Sequence, residues 1–157
     1  MKKIQIKNEE VLNAFNIINA ANYKQLDDSD KIKLYKIARA MKPSARQFED
    51  DSRDAAEKLK PEGIDAKLEK AREYELKTKK GETDKLPMTA DEYQAFLQEE
   101  WLPFNSLVQK AVREFADKVV DLEFEPLNEE AFGKLMASND WTIEKAMTIG
   151  ALIVENN

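Results

Sequence analysis

"VVDLEFEPLNEEAFGKLM", residues 119–136, is the stretch on which the fold turns. Its apolar residues leave helical spacing and alternate, with Val120, Leu122 and Phe124 on one side and Asp121, Glu123 and Glu125 on the other. A period of two is that of a half-buried strand. A lone strand would leave its backbone N–H and C=O groups unpaired. The other clearly alternating segment is "KKIQIK", residues 2–7, with Ile4 and Ile6 on one side. The economical arrangement is therefore a two-stranded ribbon of residues 2–7 with 119–125. Ile4, Ile6, Leu122 and Phe124 are expected to face inward. The outer side is expected to set lysine opposite carboxylate, a favourable cross-strand pairing.

Around this ribbon the chain reads as helix. Asn8 is placed to cap a helix over about 9–21, with Glu9 and Glu10 in its first turn and Val11, Leu12, Phe15 and Ile18 as its stripe. Asp28 or Ser29 is expected to cap the next. From Leu34 onward, Ile37, Met41, Ala45, Phe48, Ser52, Ala55 and Leu59 occur at steps of three and four, close to a heptad seam. Pro43 falls inside this run, where proline costs roughly 3 kcal/mol in a helix interior. Because the seam resumes in phase after Pro43, one kinked helix of about 30–60 is favoured over two helices. Residues 63–78 read as a charged helix with few apolar anchors, and "KTKKGETDKLP", residues 77–87, as an exposed loop.

"MTADEY", residues 88–93, is a strong helix start. Thr89 is the cap, Glu92 its reciprocal partner, and Met88 with Tyr93 the hydrophobic staple. The helix it opens carries Phe96, Leu97, Trp101, Phe104, Leu107, Val108, Ala111 and Phe115, interrupted by Pro103. The expected architecture is mainly α: a single helical domain over 1–157, in which two long proline-kinked helices lie antiparallel, joined by the charged segment 63–88, with the small ribbon attached. After the ribbon, Leu127, Asn128 and Phe132 repeat the staple-and-cap logic for a short helix over about 129–137. A last helix begins near 140 and carries Ile143, Ala146, Met147 and Ile149. Periodicity leaves residues 149–154 open between helix and strand.

Composition limits the chemistry. The chain of 157 residues has no cysteine and no histidine, which removes thiolate sites, the commonest metal ligand and the commonest general base. A Ser-His-Asp triad is therefore impossible. Four scattered glycines form no phosphate-cradling loop. No run approaches the roughly 18 apolar residues of a membrane span. "MKKIQIKNEE" has no apolar stretch behind its lysines and does not read as a signal peptide, so a cytoplasmic location is the default expectation. The formal charge of −6 is unevenly spread: residues 1–60 are net +3, 61–118 net −3 and 119–157 net −6. This balance argues against a bulk nucleic-acid binder.

Three residue groups stand out as candidates. Lys36, Arg39, Lys42 and Arg46 step by three and four along one side of a helix and form a basic ridge suited to phosphates. Trp101 and Phe104 beside Pro103, with Trp141, form a candidate interaction surface. Asp121, Glu123 and Glu125 form an acidic face, with neighbours about 7 Å apart on one side of a strand, a spacing open to a weak hard cation or to protein docking. Core packing, or a solvated helix or strand face, competes with each of these readings.

"KLYKIARAMKPSARQFEDD" (33–51) and "VDLEFEPLNEEAFGKLM" (120–136) together resemble small helical proteins of unknown function encoded by tailed bacteriophages and prophages. The likeness lies in the order of features: an amphipathic N-terminal helix, a basic segment with acidic residues after it, and an acidic strand-and-proline element near the C-terminus. It implies a virion accessory, assembly or host-interaction role in a host cytoplasm or virion, and brings no catalytic residues with it. The expectation is a non-catalytic protein-interaction or assembly module, with no cofactor and no metal, binding a protein or a second copy of itself and no membrane. The alternative is a nucleic-acid-associated or host-defence-modulating protein that uses the basic ridge or the acidic C-terminal third.

Overall fold

A computed structural model describes residues 1–156. The chain is mainly helical with one small antiparallel sheet. Its residues gather into two compact units: Met1–Asp50 with the chain from Phe115 onward, and Asp51–Glu114.

The first unit is organised on the ribbon. β1 (Lys2–Lys7) pairs antiparallel with β2 (Val119–Phe124), with Lys2 opposite Phe124, Ile4 opposite Leu122 and Ile6 opposite Val120. The pairing is the expected one, ending a residue earlier than 125. Ile6, Leu122 and Phe124 are buried and Ile4 packs against the same core. The outer side is more mixed than lysine opposite carboxylate. Lys3 reaches Glu123 at 3.7 Å, whereas Gln5 stands opposite Asp121 and donates to it at 2.9 Å. Lys7 stands opposite Val119 and pairs instead with Asp117 at 3.5 Å.

α1 (Asn8–Asn19) starts one residue before the expected first helical position. Asn8 is not the cap: it is buried, and its side-chain amide donates to the Phe115 carbonyl at 3.0 Å. Lys7 occupies the cap position with extended backbone, and its N–H donates to the Glu10 carboxylate at 3.1 Å. A side chain that can cap is thus diverted to a carbonyl shortly before β2, more than one hundred residues away. α2 (Asp28–Leu59) also starts earlier than expected, so Asp28 sits in its first turn, and the Asp27 carbonyl accepts from the Lys31 N–H. α2 is continuous through Pro43. Met41 and Ala45, on either side of the proline, are fully buried with Leu34 and Ile37 nearby, and this packing offsets the lost backbone bond. The far end of the seam is looser, with Leu59 left exposed.

α6 (Glu129–Ala137) and α7 (Ile143–Ile153) complete the unit, the labels α3 (Ile64–Lys79), α4 (Ala90–Phe96) and α5 (Leu102–Ala116) belonging to helices between α2 and β2. Asn128 caps α6 by accepting from the Ala131 N–H at 2.8 Å, and Leu127 and Phe132 both enter the core as the staple requires. α7 begins at Ile143 rather than near 140 because Thr142 is its cap, accepting from the Lys145 N–H at 3.1 Å. Residues 149–154 resolve into both alternatives: helix to Ile153, then a single parallel bridge of Val154 with Leu127. A clamp ties the α1–α2 loop to the end of α6. Asn139 accepts from the Asn22 N–H at 2.8 Å and donates to the Asn22 carbonyl at 2.9 Å.

Lys2 closes the first unit. The parity of β1 puts it on the inner face with Ile4 and Ile6, and it is 9% exposed. Its ammonium donates to the carbonyls of Ala151 at 2.9 Å and Val154 at 2.8 Å, at the C-terminal end of α7. Carbonyls at a helix end lack helical partners, and a cation there also complements the helix dipole. Burial draws the Lys2 pKa below its ordinary value.

The second unit has its own core. α3 comes directly after Gly63, whose φ of 79° is left-handed and favours glycine at this helix entry. Ile64 and Ala71 are buried with Phe96 and Phe104, so the charged segment is a packed element rather than only a connector. α4 is capped as expected: Thr89 accepts from the Glu92 N–H at 3.1 Å, and Met88 and Tyr93 pack on the core. A π-helical turn, Leu97–Trp101, then leads into α5. The N–H of Leu102 reaches the Leu97 carbonyl five residues back. Widening the helix just before Pro103 relieves the clash of a proline ring with the preceding turn, and so the helix continues.

Lys2→Met keeps the alkyl stem and removes the ammonium. It is expected to lower stability by about 1–3 kcal/mol, read as a lower Tm in thermal unfolding by circular dichroism. Lys3→Met, on the exposed face, is expected to cost less than about 1 kcal/mol. Equal Tm values for the two variants would contradict the role given to Lys2.

Candidate functional site

The basic ridge lies on α2 in the first unit. Lys36, Arg39, Lys42 and Arg46 are all solvent-accessible. Arg46 pairs with Glu49 at 3.5 Å, whereas Lys36, Arg39 and Lys42 meet no carboxylate among the described residues. Arg39, Lys42 and Arg46 line a shallow groove between α2 and α1 that also contains Tyr35. Lys36 does not line that groove. The ridge is therefore three residues plus an outlier.

The aromatic candidates are not brought together. Trp101 and Phe104 belong to the second unit, with ring centroids 5.9 Å apart, and Trp141 belongs to the first. Phe104 is buried and Trp101 packs half-buried beside it. Trp141 is half-buried against Phe132, with centroids 6.3 Å apart. All three chiefly fill cores. Tyr93, which packs on the second-unit core, stacks on Tyr74 with centroids at 4.6 Å. The Tyr93 hydroxyl donates to the Glu75 carboxylate. That bond, then burial and the Glu75 charge, pushes the Tyr93 pKa from 10.0 to about 12.

Each member of the acidic face has its own partner. Asp121 accepts from Gln5, Glu123 pairs with Lys3, and Glu125 lies 3.6 Å from Lys33, which also approaches Asp30. No group of three or more carboxylates among the described residues is arranged to hold a metal ion. The arrangement is that of a solvated, cross-paired strand face.

An exposed apolar surface lies elsewhere, between α6 and α7. Ile143 is 81% exposed, Met147 69% and Met136 41%. They border an open groove of about 970 Å³ whose wall includes Phe132 and Gly150. A β-carbon on Gly150 would stand 3.0 Å from the Phe132 ring, so glycine is what lets that ring lie close against α7. Glu129 and Glu155 also line the groove, and among the described residues no lysine or arginine does. Of the apolar residues expected along α7, Ile143, Ala146, Met147 and Ile149, only Ile149 is fully buried. Its core-facing side is Ile149 with Ile153, both fully buried. The signal was present: two apolar pairs, 143/147 and 149/153, each spaced by four, lie on different sides of one short helix.

No family model, curated protein or solved structure matches this chain. No helix among the described residues is long and apolar enough to cross a membrane.

The Tyr93–Glu75 bond has a measurable consequence. Because the folded pKa lies above the unfolded one, its contribution to stability is complete below pH 10.0 and is lost as pH rises through about 12. In an ultraviolet titration, Tyr93 is expected to give a step at about pH 12. Tyr93→Phe should remove that step and Glu75→Gln should lower it. A step at that pH unchanged by Tyr93→Phe would contradict the assignment.

Proposed function

We propose that the chain is a non-catalytic protein-interaction module that receives an amphipathic helix of a partner protein in the α6–α7 groove. The observation that carries this reading is the exposure of Ile143, Met147 and Met136 along one groove. Contiguous exposed apolar surface of this kind marks interaction sites. Methionines adapt their shape to an incoming side chain, and a groove between two helices accepts apolar anchors at helical spacing.

Charge selects among occupants. The groove is lined by Glu129 and Glu155 and, among the described residues, by no cation, within a segment, 119–157, of net charge −6. Self-docking of this face on its own two-fold copy would bring like charges together, which disfavours it. A helix with lysine or arginine beside its apolar stripe satisfies both the surface and the field. The phage or prophage context is part of this proposal, supported by the likeness of residues 33–51 and 120–136, with a virion accessory or assembly role as its setting.

A synthetic amphipathic helix with leucines at i, i+3 and i+7 and flanking lysines is the probe. It is expected to bind at micromolar concentration in calorimetry, a range of about −8 kcal/mol. The same peptide with flanking glutamates should bind at least tenfold more weakly. Met147→Glu and Ile143→Glu should abolish binding, while Trp101→Ala leaves it intact. Equal binding of both peptides, or indifference to Met147→Glu, would overturn the proposal.

A further inference from the structure

A second surface of the first unit has the opposite character. α1 and α2 enclose a groove in two adjoining parts that share Asn19, Tyr35 and Ala38, with volumes of about 300 and 230 Å³. One part adds Arg39, Lys42 and Arg46, and the other adds Lys31 and Tyr23. Among the described residues, no aspartate or glutamate lines either part. In a chain with a formal charge of −6, a groove with four cations and no carboxylate wall is a local reversal of sign.

The cations form a row. Lys31, Tyr35, Arg39, Lys42 and Arg46 occur at steps of four, four, three and four, which keeps them on one face of α2. At 1.5 Å per residue the row is about 22 Å long. Arg39 and Lys42 meet no carboxylate among the described residues, Lys31 lies 3.9 Å from Asp28, and Arg46 lies 3.5 Å from Glu49. Two aromatic rings accompany the row: Tyr35 is 64% exposed and Tyr23 54%. Tyrosines held in water beside these cations add little to a core. Cations tracking a backbone, with aromatic faces alongside on which bases stack, are the parts of a single-strand site.

We infer that the α1–α2 groove binds single-stranded nucleic acid, its phosphates lying along Lys31, Arg39, Lys42 and Arg46 and its bases stacking on Tyr35 and Tyr23. The exposed rings favour unpaired bases, because a duplex keeps its base faces stacked within itself. An acidic peptide, including the acidic C-terminal third of another copy, would satisfy the cations but leave the tyrosines unused.

The test is fluorescence anisotropy of the full chain with labelled oligouridylate and oligothymidylate over a salt series, with duplex DNA and polyglutamate as comparisons. Single strands are expected to bind at micromolar concentration in about 50 mM salt, with log K falling against log salt at a slope of about 2–3, for three or four phosphates. Arg39→Glu with Lys42→Glu should weaken binding at least tenfold and flatten the slope. Tyr35→Ala should weaken it about tenfold and leave the slope unchanged. All these positions are solvent-accessible, and circular dichroism should show each variant folded. Met147→Glu should have no effect, which separates this site from the α6–α7 groove. No binding at low salt would overturn the inference, as would polyglutamate or duplex binding as tight as single-strand binding. Indifference to Tyr35→Ala would also overturn it.

Discussion

The antiparallel pairing of β1 with β2 is the constraint on which the first unit depends. It brings together segments more than one hundred residues apart, and closing so long a loop in an open chain costs on the order of 4 kcal/mol. Burial of Ile6, Leu122 and Phe124 offsets this, at about 1.5–3 kcal/mol for each side chain. The pairing also fixes the residues that flank the strands. Asn8, immediately after β1, donates from its side chain to the Phe115 carbonyl shortly before β2, and the Asn8 N–H donates to the Lys118 carbonyl. Lys2, at the other end of β1, reaches the end of α7. One ribbon thereby positions α1, α6 and α7 around a common core.

The two proposed binding surfaces arise from this arrangement. α1 and α2 meet through Phe15, Ile18, Leu34, Ile37 and Met41, and the rim left in solvent is the one that carries the cations and tyrosines. α7 turns Ile149 and Ile153 into the core, and its remaining apolar pair necessarily faces outward beside α6. The two surfaces differ in sign and in polarity. A partner helix and a nucleic-acid strand would therefore not compete for either of them.

Much of the fold is legible in the residues. Alternation at 2–7 and 119–124 is enough to pair the strands, and the seam in phase across Pro43 is enough to keep α2 whole. The caps at Thr89 and Asn128 are local and readable. The features that escape such reading are nonlocal. Asn8 has the chemistry of a cap, and only the folded chain presents the carbonyl that diverts it. Lys2 shares the parity of Ile4 and Ile6, but its acceptors, Ala151 and Val154, are set by where α7 ends. The π-helical turn before Pro103 is a response of the backbone to strain, without a distinct residue pattern. Of the candidate site, the ridge of Arg39, Lys42 and Arg46 is visible in spacing, whereas Tyr23 joins it only through the α1–α2 contact. The tryptophans draw attention by type and prove to be largely packed, while the exposed Ile143 and Met147 look like ordinary core residues. Periodicity identifies an apolar face without saying which of two faces will be covered.

Hydrogen–deuterium exchange resolved by peptide, comparing the native chain with Ile6→Asp, tests the organising role of the ribbon most directly. Placing a charge on the inner face of β1 is expected to raise exchange in β2, α6 and α7, far away in sequence, while residues 64–79 and 90–101 keep their native protection. Faster exchange confined to residues 1–7 would show that the ribbon is an appendage, and would contradict the account.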